Sequence, residues 1–483
     1  MSPKYMCFVA IFGLLVCGAC QGGTGESPGV KEVPAPGGDT PVIASPSATD
    51  PTPAEATSQS TSVPPLLADG PWVLVGGKAG LWAANPDGSG LRYIYDVAAD
   101  QLVLGGQHAA FIEETEGYYG AGLTLKMFSL PEGKVRIITD LLSPSTEPQP
   151  QDSIPLDGKI AIYTALQADN LAWSPDGTQL AFTSAHEGPS ADLYVYSVAD
   201  NSLTRLSDGP SQAYRLIWTP DGKQIILMGA TSFGTGAGYS MAGVWSFCAD
   251  GTCQRTLYEP NSGDELSLGW VSENTVILYS FRAVSGFHDL RAFNIESGES
   301  RVLWPHAFEE AALDPVSGSL LVVVNEYIAA EDPEIDTGIY LVQQDGSVEL
   351  IPVWDFFSEE LRADVAYNAH TAVFLVRMSN EIVTFSPTGE LALLVPRILQ
   401  APAPVPSPTE DQWVWLDDGA LVLNGPEIQI EVLFPSDSHP LWGPDGQSLL
   451  FVYEGQLHVR RLDDTSHTIA GSELSGALRW MGP

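Results

Sequence analysis

The chain has 483 residues, with 60 Asp plus Glu against 21 Lys plus Arg, a formal net charge of -39. A surface this acidic repels phosphate backbones and anionic headgroups, so nucleic acid is excluded as a partner class and direct binding to a membrane surface is not expected. The same charge suits solubility outside the cell. The 47 Gly and 37 Pro beside 12 Trp and 16 Tyr favour many short strands joined by tight turns. Past residue 60 no capped apolar period of 3.6 residues is present, so long helices are not expected.

In chain order, the first element is an export signal over 1–19. Lys4 gives a positive n-region, and "MCFVAIFGLLVCGA" is too short to span a membrane comfortably. The following "CGAC" resembles a bacterial lipobox, which implies lipidation of Cys20, with plain signal cleavage as the alternative; Cys17 stands where that pattern usually has Leu. The chain is therefore expected on the outer face of a cell membrane, held only through its N-terminal lipid. Residues 20–69, with "PSATDPTPAEATSQSTSVPP", carry too little bulky apolar side chain to order themselves and read as a tether. About 48 residues of such coil span roughly 40 Å.

From residue 70 to 483 one unit recurs. In 171–208, "LAW" is a short strand and "SPDG" a turn, Pro175 presetting φ and Gly177 accepting a positive φ. "QLAFTS" returns, a longer polar loop follows, "DLYVYSV" alternates, "ADNS" turns, and "LTRL" completes four antiparallel strands. The same order follows Trp218, Trp270 and Trp442, and more faintly Leu104, Leu313 and Tyr367. Four-stranded repeats of this length predict an all-β fold, a β-propeller. Near the start, "PWVLVGGKAGLWAANPDGSGLRYIYD" holds the second, third and fourth strands of a unit without its first. Leu478 and Trp480 match Leu171 and Trp173, so the C-terminal strand is expected to join the N-terminal blade and close the ring. The segment 411–435 reads as an irregular unit, because only about 27 residues separate Trp415 from Trp442. The expected count is eight blades, with seven as the alternative.

"LAWSPDGTQLAFTS", "ADLYVYSVADNSLTRLSDG" and "GLWAANPDGSG" resemble the WD40-like (PD40) repeat of TolB-type propellers over most of 71–483. That resemblance implies the fold and leaves function open, since such propellers serve as scaffolds, receptors and enzyme domains. Their usual six blades are fewer than the number expected here.

The turns between first and second and between third and fourth strands are short. The second-to-third loops and the fourth-to-first connections are long, and strand alternation places both on one face, where binding residues are expected. That face carries the candidate ligand-binding residues Tyr119, His186, Phe233, Tyr239, Phe287, His288, Tyr327 and Glu331. Exposed aromatics beside acids suit a sugar or a basic peptide segment. The tryptophans Trp173, Trp218 and Trp442 read as core. Cys248 and Cys253, five residues apart in "CADGTC", are within disulfide reach across a hairpin. No catalytic motif is found: "GYSMAG" has one residue too many for Gly-x-Ser-x-Gly, and no His-Glu-x-x-His occurs. No cofactor or metal is expected; "NEYIAAEDPEID" is rich enough in carboxylates to consider Ca²⁺ but lacks regular ligand spacing. The expected function is a monomeric, lipid-anchored binding scaffold for an envelope or extracellular protein or a carbohydrate. The alternative is a polysaccharide lyase or hydrolase with its site at the pore mouth.

Overall fold

The computed structural model describes residues 63–114, 123–142, 170–187, 190–209, 211–232, 239–258, 264–281, 288–351, 364–368, 372–377, 381–396, 405–408, 412–417, 420–424, 431–435, 438–462, 466–469 and 473–482. Among them are nine four-stranded antiparallel sheets. Blade 1 combines Trp72–Gly77, Gly80–Ala84 and Arg92–Tyr95 with the C-terminal strand Leu474–Met481. Blades 2 to 9 follow in sequence, over 103–140, 171–205, 212–258, 264–304, 310–350, 364–396, 405–435 and 441–469. First strands of consecutive blades lie side by side between blades 2 and 3, 3 and 4, 5 and 6, 6 and 7, and 8 and 9. The fold is a β-propeller.

Two features of the ring depart from, or answer to, the repeat pattern. Among the described residues the count is nine rather than eight. The segment read as an irregular unit is a complete blade whose first strand is Val405–Pro406, so Trp413–Asp417 is its second strand. Trp415 and Trp442 therefore occupy different positions in their blades, and their spacing measures no repeat. A two-residue strand ending in proline, which lacks an N–H for the ladder, leaves little pattern to recognise. Ring closure is as the half-units imply: Val73 pairs Trp480 and Val75 pairs Leu478, so the last strand is the first strand of blade 1.

Alternation along each strand buries side chains on both sheet faces, so the apolar interior is divided among the junctions between blades. One cluster joins blades 1 and 2 through Leu74, Leu81, Phe111 and Phe128. Others join blades 2 and 3 (Leu125, Met127, Phe182, Tyr194) and blades 3 and 4 (Leu193, Val195, Ile225, Leu227). Similar clusters join blades 4 and 5, 5 and 6, 6 and 7, 8 and 9, and 9 and 1. Tryptophans of the first strands tie these junctions with a hydrogen bond as well. Trp173 Nε1 donates to Val103 O (2.9 Å), Trp218 to Ala172 O (2.8 Å), Trp442 to Val405 O (2.8 Å) and Trp480 to Trp442 O (2.7 Å). In each case the acceptor is on the first strand of the preceding blade, so core packing and a directional bond share one side chain.

The recurrent Asp-Gly turns are built the same way. Asp176 Oδ1 accepts from Ser174 Oγ and the Thr178 N–H, while Gly177 sits at φ 70°. In blade 4, Asp221 accepts from Thr219 Oγ1, the Lys223 N–H and Lys223 Nζ. The bond from Lys223 Nζ, then that from Thr219, holds the Asp221 carboxyl down at about 2, and the bond from Ser174 lowers that of Asp176. Because these pKa values are depressed by folding, the stabilisation is present above the unfolded value near 4 and is lost as pH falls toward 2. Asp221→Asn should therefore lower stability at pH 6 and leave it nearly unchanged at pH 2, as read from urea unfolding at the two pH values. An equal loss at both would show that the carboxylate charge has no part.

The chain enters the propeller on the short-turn face. Leu67 N donates to Asn85 Oδ1 (2.8 Å), Asn85 Nδ2 to Pro65 O (3.1 Å), and Arg92 to Pro64 O (2.7 Å), which lays 64–67 along the third-to-fourth turn of blade 1. On the same face, Cys248 and Cys253 are joined by a disulfide across the corresponding turn of blade 4, with Cα atoms 5.1 Å apart. No helix among the described residues is long and apolar enough to cross a membrane.

Candidate functional site on the long-connection face

Blade topology puts second-to-third loops and fourth-to-first connections on one face, and contacts between them are seen directly. Ala185 N and Ser184 Oγ, at the end of the second strand of blade 3, donate to Leu141 O in the connection leaving blade 2 (2.8 and 3.0 Å). Ala191, before the third strand of blade 3, donates to Gln212 Oε1 at the start of blade 4 (2.6 Å). Neighbouring blades thereby fix each other's loops.

The candidate residues fall at different places on this face. His186 is exposed in the turn after Gln179–Ser184, its N–H donating to Ser184 Oγ (3.1 Å). Tyr239 and His288 open strands rather than sitting in loops: Tyr239 pairs Ser232, and His288 pairs Phe281. Blade 4's second and third strands run to nine and ten residues, which takes up much of what reads as loop in 229–243. Tyr327 and Glu331 lie on a short helix, α1 (Glu326–Glu331), where a loop is expected. Cys20, Tyr119, Phe233 and Phe287 lie outside the described residues.

The helix forms because Asn325 caps it, its Oδ1 accepting from the Ile328 N–H (2.9 Å), and because Asp332 at the other end donates its N–H to Ile328 O (3.0 Å). Asn325 Nδ2 also bonds the Glu309 carboxylate, which ties the helix to the base of the first strand of blade 6. Tyr327 remains 64% exposed. An aromatic so presented, on a helix held at both ends, loses little freedom on binding.

Beside this helix the structure assembles a group that sequence spacing does not reveal. His306, in the connection from blade 5, bonds Asp332 Oδ2 through Nδ1 (2.9 Å), and Asp332 Oδ1 accepts from the Glu334 N–H (3.1 Å). Atoms of His306, Asp332 and Glu334 lie within 4.8 Å of one another. The bond from His306, then that from Glu334, holds the Asp332 carboxyl below its usual range. Glu310, the first residue of the first strand of blade 6, is pushed up by burial and by its neighbour Glu309. Its proton is thus held more tightly than that of an ordinary surface carboxylate. His306 and Asp332 are 26 residues apart, and only the topology, which sets the connection before a blade beside that blade's second-to-third loop, could have paired them.

The class of protein is a β-propeller with an acid-rich, helix-bearing connection face. No family model matches the chain, and no curated protein matches it. Among solved structures it is similar to one described as a eukaryotic initiation factor, with TM-score 0.53 and 12% identity, covering 85% of this chain and 98% of that one. It is also similar to Porphyromonas gingivalis dipeptidyl peptidase 4, at TM-score 0.46 and 11% identity over 75% of this chain and 58% of that one. A third is an oligogalacturonate lyase in complex with manganese, at TM-score 0.37 and 10% identity over 79% and 99%. At these identities the likeness concerns the fold alone, and only the first superposes closely enough to carry that statement.

Proposed function

We propose that the chain is an exported, lipid-anchored propeller of the TolB-type, WD40-like kind, and that it acts as a binding scaffold for a protein at the cell envelope or outside the cell. The long-connection face is the binding surface in this reading. The observation that carries it is the presentation of Tyr327 and Glu331 on a helix capped by Asn325 and tied to blade 6. A rigid aromatic beside carboxylates suits a partner segment with basic and apolar side chains. Carbohydrate is the other ligand class such an aromatic serves.

The experiment is capture of partners by cross-linking on intact cells, followed by affinity measurement with the purified chain and its Tyr327→Ala and Glu331→Ala variants. Soluble polysaccharides are tested alongside the captured protein. Tyr327→Ala should weaken binding by roughly tenfold or more, as truncating an interface aromatic does. Unchanged affinity in both variants would remove this helix from the binding surface.

A further inference from the structure

We propose that His306, Asp332 and Glu334 form a binding site for one divalent transition-metal ion, with Zn²⁺ as the fitting probe. The donor set is one imidazole and two carboxylates, supplied by two connections that meet on one face. Ligands around such an ion, at bonds of about 2.0–2.2 Å, stand roughly 3–4 Å apart. His306 Nδ1 and Asp332 Oδ2 are already 2.9 Å apart, and the three ligand atoms lie within 4.8 Å, so only a small swing of the exposed Glu334 side chain is needed.

An imidazole in the set favours a transition metal over Ca²⁺, which takes six to eight oxygens. Three protein ligands leave a coordination position for water. A separate observation sits against the cluster. Trp304 is 1% exposed, and its indole meets the His306 ring edge-on with centroids 5.3 Å apart. Its Nε1 has no hydrogen-bond partner among the described residues. An unpaired buried N–H is costly, and this one belongs to the side chain packed directly on His306. The net charge of -39 raises the local concentration of cations around the protein.

Binding at His306 Nδ1 replaces its hydrogen bond to Asp332, the neutral imidazole carrying its proton on Nε2. The consequence for the protein is mechanical coupling. His306 belongs to the connection from blade 5 to blade 6, whereas Asp332 and Glu334 follow α1, so the ion clips the helix-bearing loop to the blade junction.

The test is calorimetric titration of the tag-free full-length chain, stripped with EDTA, using Zn²⁺ and, separately, Ca²⁺. A paired limited proteolysis reads cleavage within 325–337. The expected result is one Zn²⁺ per chain, weaker or absent Ca²⁺ binding, and slower cleavage of the loop with Zn²⁺ present. His306→Ala and Glu334→Gln should each weaken Zn²⁺ binding at least about tenfold and abolish the protection. Glu334 is exposed, so Glu334→Gln keeps the test valid if His306→Ala fails to fold. Absence of saturable Zn²⁺ binding, or binding unchanged in Glu334→Gln, would overturn the proposal. Either outcome is independent of whether Tyr327 binds a partner.

Discussion

A chain ending at Glu473 is expected to lose cooperative unfolding and to self-associate. The missing strand, Leu474–Met481, is the first strand of blade 1, and without it Trp72–Gly77 becomes a naked edge built from Trp, Val and Leu. Leu474 and Met481, both buried, leave the clusters that join blade 1 to blades 9 and 2. Arg479, whose guanidinium donates to Ala99 O (2.9 Å) and Leu102 O (2.7 Å), leaves the backbone before blade 2 without those donors. Size-exclusion chromatography and a thermal melt check the result. A peptide covering 473–482, added in trans, should restore the monomer by strand addition. A truncated chain that stays monomeric and melts within a few degrees of the parent would show that the ring does not depend on this strand.

Trp173→Ala should cost about 3–5 kcal/mol, the range for removing a buried Trp or Phe side chain. The indole is only 9% exposed and packs in the cluster joining blades 2 and 3. It lies so close over Gly105 that a methyl group there would meet Trp173 Cγ at 2.2 Å. Its Nε1 bond to Val103 O adds a directional tie. Trp173→Phe keeps much of the apolar volume and forfeits that bond, so a loss of about 1–2 kcal/mol is expected. Urea unfolding of both variants separates packing from the hydrogen bond. No loss in Trp173→Phe would mean that the indole N–H contributes nothing measurable.

The parts of the fold legible in the sequence are those in which local chemistry repeats. The "SPDG" and "TPDG" turns need Pro, Asp and Gly in that order, and the structure shows the last two at work, with Asp176 and Asp221 bonding forward and Gly177 and Gly222 at positive φ. Closure was legible for the same reason, since Trp480 repeats the position of Trp173. Where the chain supplies little side chain, the pattern fails. Val405–Pro406 is two residues long, and the ends of the long strands around Ser232 and Tyr239 are small and polar, which reads as loop. Helix α1 has six residues, too few for a period to emerge, and its formation rests on the Asn325 cap and the tie to Glu309. The His306–Asp332 pair was hidden because neither residue marks its partner locally. It becomes visible only once the first strand of blade 6 is placed between them.

The laying of 64–67 along blade 1 has a consequence for mechanical load. Tension applied through the preceding chain meets the three hydrogen bonds around Asn85 and Arg92 first. The next element in line, Trp72–Gly77, is held by ladders on both sides, one to Gly80–Ala84 and one to the last strand of the chain. Pulling it out requires both ladders to shear together rather than peel one bond at a time. The force is then spread over the two ends of the sequence at once, and the opposite face, with α1 and His306, stays outside its path.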